Sequence, residues 1–150
     1  TSNGHTVSAV LQQYGIQVDK QHLPDDVDIM TGRLTEMLNA YDVLLLSGGV
    51  SMGKYDHLPA VLQQLAVPQF FHKEQQRPGN TFWFDNSANE KLVFAFPCNL
   101  VSTFLCLHRY FIPWLNASLG LGKTTDKYAV LDTDIPLHQH CSILYRCACT

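Results

Sequence analysis

Val43-Leu44-Leu45-Leu46-Ser47-Gly48-Gly49-Val50-Ser51-Met52-Gly53-Lys54-Tyr55-Asp56 is the stretch on which the fold turns. Its first four residues are an unbroken apolar run that stops at a serine and two glycines. Such a run, without polar alternation, predicts a parallel strand buried on both faces. The three glycines that follow permit a tight turn whose backbone N–H groups can converge on an anion, with Ser51 adding a hydroxyl donor. A phosphate or oxyanion cradle is one reading. A plain strand-to-helix turn with incidental glycines is the other, and spacing alone does not choose between them. Gly48 to Lys54 also satisfies the G-x-x-x-x-G-K pattern of a nucleotide-binding loop. That loop, however, places Ser or Thr next to hold Mg²⁺, and Tyr55 carries its hydroxyl at the far end of a ring.

Upstream of this stretch, Val7, Val10, Leu11 and Tyr14 recur at helical spacing after the potential caps Ser2 and Asn3, and Gly15 stands where a helix would stop. Ile16 to Val18 reads as a short strand. Asp25 and Asp26 put negative charge at the start of a second helix with the apolar face Met30, Leu34, Met37, Leu38 and Tyr41. Gly32 weakens that helix by about 1 kcal/mol. Downstream, a third helix runs through Leu58, Val61, Leu62 and Leu65, and two strands are predicted at Phe82 to Phe84 and Leu92 to Phe96. Asn99 then opens a long helix through Val101, Phe104, Leu105 and Ile112, which Pro113 should kink.

The alternation of strand and helix predicts an α/β fold: a three-layer, doubly wound, mostly parallel sheet whose ligand crevice lies at the C-terminal strand ends. The first helix begins so early that the strand feeding it is expected upstream of Thr1. After Gly122 the pattern changes, with strand-like segments at Tyr128 to Leu131 and Ile143 to Cys147. The expected division is therefore an α/β domain over 1–122 and the start of a β domain over 123–150.

At 150 residues and 46% apolar composition the chain can bury a real core. Charged residues make up 15%, against roughly a quarter in an average soluble domain, which suggests surface covered by further domains or a second subunit. A net charge of -3 and the lack of a Lys/Arg run leave no footprint for nucleic acid or an anionic membrane. The longest apolar stretch, Leu100 to Leu115, is interrupted by His108 and Arg109 and falls short of a bilayer span. Five cysteines without disulfide-framework spacing suit a reducing compartment, by default the cytoplasm. His138-Gln139-His140-Cys141 and Cys147-Ala148-Cys149 lack the paired spacing of a structural zinc site.

Ser47 to Asp56 resembles the SGGVSMGKYD signature of molybdopterin molybdotransferases at every position. Other segments resemble that family in the same order: Ser2-Asn3-Gly4 before the first helix, Phe71-His72-Lys73 with Gln76-Arg77-Pro78-Gly79, and Phe96 to Ser102, similar to its L-P-G-N-P-V-S. Tyr128 to Leu131 resembles the opening of its C-terminal β domain. The resemblance implies binding of adenylylated molybdopterin and molybdate, and Mg²⁺-assisted cleavage of the adenylate to give molybdenum cofactor and AMP. It implies a catalytic and metal-binding role for Asp56, whose carboxylate suits a hard cation; an N-cap of the third helix is the plainer reading of that residue. It also implies substrate contacts from Gly48, Gly49, Ser51, Gly53, Lys73, Arg77, Pro97, Asn99 and Ser102, and a homodimer in the intact protein. Cations such as Lys73 and Arg77 are otherwise usually just a solvated face, and Ser51 and Ser102 are each readable as helix caps.

Two departures from the family pattern bear on activity. Its P-G-N-P stands here as Pro97-Cys98-Asn99-Leu100, and its P-G-K-P as Pro78-Gly79-Asn80-Thr81. If glycine at position 98 served a positive φ, cysteine would cost on the order of 1 to 3 kcal/mol. If it served close approach of a ligand, the added side chain would obstruct binding. A pterin- or partner-binding module without turnover is therefore the second hypothesis, and a P-loop phosphotransferase the third.

Overall fold

A computed structural model describes residues 2–49, 57–67, 71–72, 76–77, 83–86, 91–122, 130 and 142–143. In chain order its elements are helices α1 (Ser2–Gln12) and α2 (Val27–Ala40), strand β1 (Val43–Ser47), helix α3 (Leu58–Gln64), strands β2 (Phe71–His72), β3 (Gln76–Arg77), β4 (Trp83–Asn86) and β5 (Leu92–Phe96), helix α4 (Leu100–Cys106), a π-helical turn (Leu107–Phe111), helix α5 (Ile112–Ser118) and strand β6 (Ser142–Ile143).

The apolar run Val43 to Leu46 forms β1 and pairs in parallel with β5, from Val43 opposite Leu92 to Ser47 opposite Phe96. Because successive side chains leave a strand on opposite faces, this one pair feeds two cores. Leu44, Leu46, Val93 and Ala95 pack with Met30, Leu34 and Met37 of α2 and Leu58, Val61 and Leu62 of α3. Phe94 and Phe96, with Val43, Leu45 and Leu92 packed against their cluster, face Val7, Val10 and Leu11 of α1 and Leu107, Phe111, Ile112 and Leu115 beyond α4. Helices thus cover both faces of the sheet, giving the expected three-layer α/β architecture. Sheet order is β1-β5-β4-β2; the parallel pairing is that of β1 with β5, and β4 and β2 extend the sheet antiparallel. A separate two-stranded pairing joins β3 and β6 in parallel.

Both cores are fully buried at their centres: Leu34, Leu62, Val61, Val93 and Phe96 have essentially no exposed surface. Truncating one such leucine to alanine costs about 2 to 5 kcal/mol. Phe94 meets Phe111 edge-on with ring centroids 5.0 Å apart, and Trp114 packs beside both at 5.7 and 5.4 Å. These rings lock the α4–α5 segment onto the β5 face.

The structure departs from the sequence-based expectations in several places. Asn3 does not cap α1; it lies inside the helix, on its buried face. Ile16 to Val18 is not a strand but irregular chain. The helix ends in a Schellman arrangement, with Gly15 at φ 71, Gly15 N–H donating to Gln12 O at 3.0 Å and Ile16 N–H to Leu11 O at 3.2 Å. Ile16 and Val18 then pack on the α1-side core as a tail of that cap. Third, the helix opened at Asn99 is not regular throughout: a π turn, closed by Ile112 N–H to Leu107 O, stands directly before Pro113 and separates α4 from α5. Fourth, the N-cap position of α3 is held by His57, without a side-chain capping bond.

Trp83–Asn86 places the predicted strand at 82–84 two residues later at its far end, and Leu92–Phe96 matches its prediction. Of the two segments predicted as strands beyond residue 122, Ile143 lies in β6 and Val130 is exposed outside any strand. The remainder of those segments and the His/Cys groups at 138–141 and 147–149 lie outside the described residues.

Candidate functional site

β1 and β5 run parallel and end level, so the chain leaves them as two neighbouring loops, Ser47-Gly48-Gly49 and Pro97-Cys98-Asn99. Ligands of doubly wound sheets sit at this edge, outside the carboxyl ends of parallel strands. Gly48 and Gly49 adopt φ of 89 and 72, in the left-handed region. A Cβ built on Gly48 would meet only Cys98 Cβ, at 3.9 Å, an ordinary contact. Backbone conformation, rather than lack of room, is therefore what requires glycine there. Gly48 N–H donates to Phe96 O at 3.1 Å, stitching the first loop to the end of β5. Gly48 N–H is thereby committed within the fold, and what this residue offers the loop is its left-handed turn.

The second loop is fixed by its own polar groups. Asn99 caps α4: its Oδ1 accepts from Val101 N–H at 2.9 Å and Ser102 N–H at 3.2 Å. Buried Thr103 donates its hydroxyl to Pro97 O at 2.7 Å. Ser102 is buried in the first turn of α4, and Pro97 is buried as well, whereas Asn99 and Cys98 are exposed. Cys98 does not adopt a positive φ; among the described non-glycine residues Ala66 does. Of the two reasons a glycine would be wanted at position 98, a positive φ is thus absent, and close approach of a ligand is the one left.

A cavity of about 590 Å³ opens beside the first loop, with Ser47, Gly48, Gly49, His5, Asp19 and His22 among its lining residues. Asp19 accepts from the Tyr41 hydroxyl and from Gln21 Nε2. The Tyr41 hydrogen bond, followed by that of Gln21, holds the Asp19 carboxyl below its usual range and raises the Tyr41 hydroxyl in return. Asp19 therefore presents a charged carboxylate at neutral pH.

Of the expected site residues, the structure brings Gly48, Gly49, Pro97, Asn99 and Ser102 together at the ends of β1 and β5. Ser51, Gly53, Asp56 and Lys73 lie outside the described residues. Arg77 is described in its backbone, in β3, paired with Ile143. Among the described residues no group of three or more His, Cys, Asp or Glu is arranged as a metal site, and no helix is long and apolar enough to cross a membrane.

Sequence reasoning missed Asn3, which donates its amide to both loops, to Ser47 Oγ at 2.8 Å and Cys98 O at 2.7 Å. A signal was present: Asn3, Val7, Val10 and Leu11 share one helical face, so Asn3 belongs to the buried stripe. Asp19 and His22 had no such signal, since only the folded chain carries them to the cavity wall.

Residues 1–117 match a protein family described as "Probable molybdopterin binding domain". The chain is 37% identical over 127 residues to a molybdopterin molybdenumtransferase of Synechocystis sp., covering 83% of this chain and 32% of the relative. It is 31% identical over 124 residues to the protein of that name from Staphylococcus epidermidis, covering 79% of this chain and 28% of the relative. The crystal structure of the molybdopterin biosynthesis moea protein from Pyrococcus horikosii superimposes with a TM-score of 0.67 at 21% identity, over 79% of this chain and 29% of that one. That likeness concerns the fold. The chain spans about a third of the length of the two transferases.

Proposed function

Because this chain belongs to the probable molybdopterin binding domain family, we propose that its β1 and β5 loops bind molybdopterin and serve a molybdopterin molybdotransferase. The observation that carries the reading is the placement of Gly48-Gly49 and Pro97-Cys98-Asn99 side by side at the ends of two parallel strands, next to a cavity. In this proposal the substrate is adenylylated molybdopterin, molybdate is inserted at its dithiolene, and AMP leaves. Gly48, Gly49 and Gly53 shape the first loop, Ser51 donates a hydroxyl to the ligand's anionic group, and Pro97, Asn99 and Ser102 hold the second loop. Lys73 and Arg77 supply positive charge for molybdate or the pterin phosphate.

Asp56 is proposed as the catalytic and metal-binding carboxylate. Mg²⁺ suits such a carboxylate, since it prefers oxygen ligands, keeps several waters and needs only one or two carboxylates. When bound, the ion would neutralise charge on the phosphate at which the adenylate is cleaved. The site is proposed to work in a cytoplasmic homodimer, which sedimentation of a protein of the relatives' full length would test; a monomer at micromolar concentration counts against it.

The decisive experiment follows AMP release from adenylylated molybdopterin in the presence of molybdate. In a protein of the relatives' full length, Asp56→Asn is expected to lower turnover by about 10²-fold or more, as when one preorganised electrostatic group is lost. The 150-residue chain alone is expected to bind the pterin with little turnover. Undiminished turnover in the Asn variant would remove Asp56 from the chemistry. A binding module without turnover is the second reading, favoured by the exposed Cys98 side chain in the second loop; binding without AMP release in the full-length protein would establish it.

A further inference from the structure

We infer that Asn3 is a positioning residue, which sets the separation of the two ligand loops and leaves the Ser47 hydroxyl proton for a bound anion. The inference rests on the assignment of those loops to pterin binding. Asn3 is 6% exposed and sits in the first turn of α1, remote in sequence from both loops. Its single Nδ2 donates to Ser47 Oγ at 2.8 Å, at the last residue of β1, and to Cys98 O at 2.7 Å, two residues past β5. Both protons of one planar amide are thereby spent on two different loops. The amide cannot be turned over, because a carbonyl such as that of Cys98 only accepts.

Asn3 Oδ1, by contrast, is buried without a hydrogen-bond partner among the described residues. On a face otherwise made of Val7, Val10 and Leu11, an apolar side chain would pack without leaving an unmet acceptor. Helix packing therefore does not account for an amide here, and the two bonds to the loops do. The tie acts alongside the bond from Gly48 N–H to Phe96 O, so the loop ends are pinned from two directions. Ser47 Oγ, having accepted from Asn3, retains its own proton, and Ser47 lines the cavity. A hydroxyl polarised in this way is a fixed donor for an oxyanion.

The test uses the 150-residue chain, its Asn3→Ala and Ser47→Ala variants and the double variant, titrated with molybdopterin well below their melting temperatures. Amide hydrogen exchange at Gly48 is measured in parallel. Asn3→Ala is expected to weaken binding about tenfold, the scale of one to two lost hydrogen bonds, and to speed exchange at Gly48 while helix content is unchanged. Its effect on binding should be smaller in the Ser47→Ala background, since one arm of the tie is already gone. A lowered melting temperature with unchanged affinity and unchanged Gly48 exchange would show a structural residue only and overturn the inference. Equal weakening in both backgrounds would overturn the part assigned to Ser47. Should Asn3→Ala fail to fold, Asn3→Ser, which keeps one hydroxyl donor, is expected to fold and to show the same changes in part; affinity and exchange equal to those of the unaltered chain would overturn the proposal. If the unaltered chain does not bind molybdopterin, the functional assignment fails, while Gly48 exchange still decides whether Asn3 positions the loops.

Discussion

The two ends of the β1–β5 pair are built from opposite materials. At the N-terminal end Leu92 N–H donates to Asp42 O at 2.9 Å, and Lys91 Nζ meets Asp42 Oδ1 at 2.8 Å. That end is closed by ordinary backbone and an ion pair whose carboxylate is 92% exposed. At the C-terminal end the chain leaves through two left-handed glycines and a capped loop, and a buried amide from a third element ties them together. One end is stabilised cheaply at the surface; the other spends buried polar groups and restricted backbone on holding a shape. That difference is why the proposed ligand site is put at the C-terminal end of the pair, the edge at which doubly wound sheets bind ligands.

Gly48→Ala breaks the contrast most sharply. At φ 89 an alanine is strained even though its Cβ has room, so stability should fall by about 1 to 3 kcal/mol in denaturant titration. Molybdopterin binding should weaken with it. A variant as stable as the parent would mean that the loop relaxes to a conformation open to any residue, and the shape argument would fail.

Loss of the cap comes next. Asn99→Ala removes the acceptor for Val101 and Ser102 N–H and should cost about 0.5 to 2 kcal/mol, while Asn99→Asp, which keeps a capping oxygen, should cost less. Equal losses from the two substitutions would assign the effect to something other than the cap.

Cys98→Gly separates strain from crowding. Since Cys98 is not in a left-handed conformation, glycine relieves no strain and should lower stability by about 0.5 to 1 kcal/mol through added chain entropy. Molybdopterin affinity should nevertheless rise, because the exposed side chain in the second loop is gone. A gain in stability would show that the strain reading was correct after all.

The smallest effect belongs to the opposite end. Asp42→Asn should shift the melting temperature less than any substitution above, because solvent screens so exposed a pair. The Lys91 hydrogen bond, then its charge, holds the Asp42 carboxyl below the ordinary 3.8. The folded form thus binds its proton less readily than the unfolded chain does. The associated stability is present above the ordinary carboxylate value and lost as pH falls through the lower folded one. Melting curves at pH 7 and pH 3 should therefore differ less in the Asn variant than in the parent, and an equal difference would exclude this pair as a source of acid sensitivity.

Local chemistry determined much of this protein in advance. An unbroken Val-Leu-Leu-Leu run followed by glycines defines a buried strand and its turn, and Met30, Leu34 and Met37 define a helix face, because burial and backbone conformation are written residue by residue. Asn99 was legible as a cap for the same reason. Tertiary structure alone decided what the polar residues do once distant segments meet. Asn3 read as a cap until Ser47 and Cys98, 44 and 95 residues away, arrived within hydrogen-bonding distance of its amide. Ile16 to Val18 has the composition of a strand, yet a strand exists only where a neighbour offers its ladder, and here the segment completes a helix cap instead. Pairing and hydrogen-bond partnership are properties of two places in the chain at once, and no local pattern carries them.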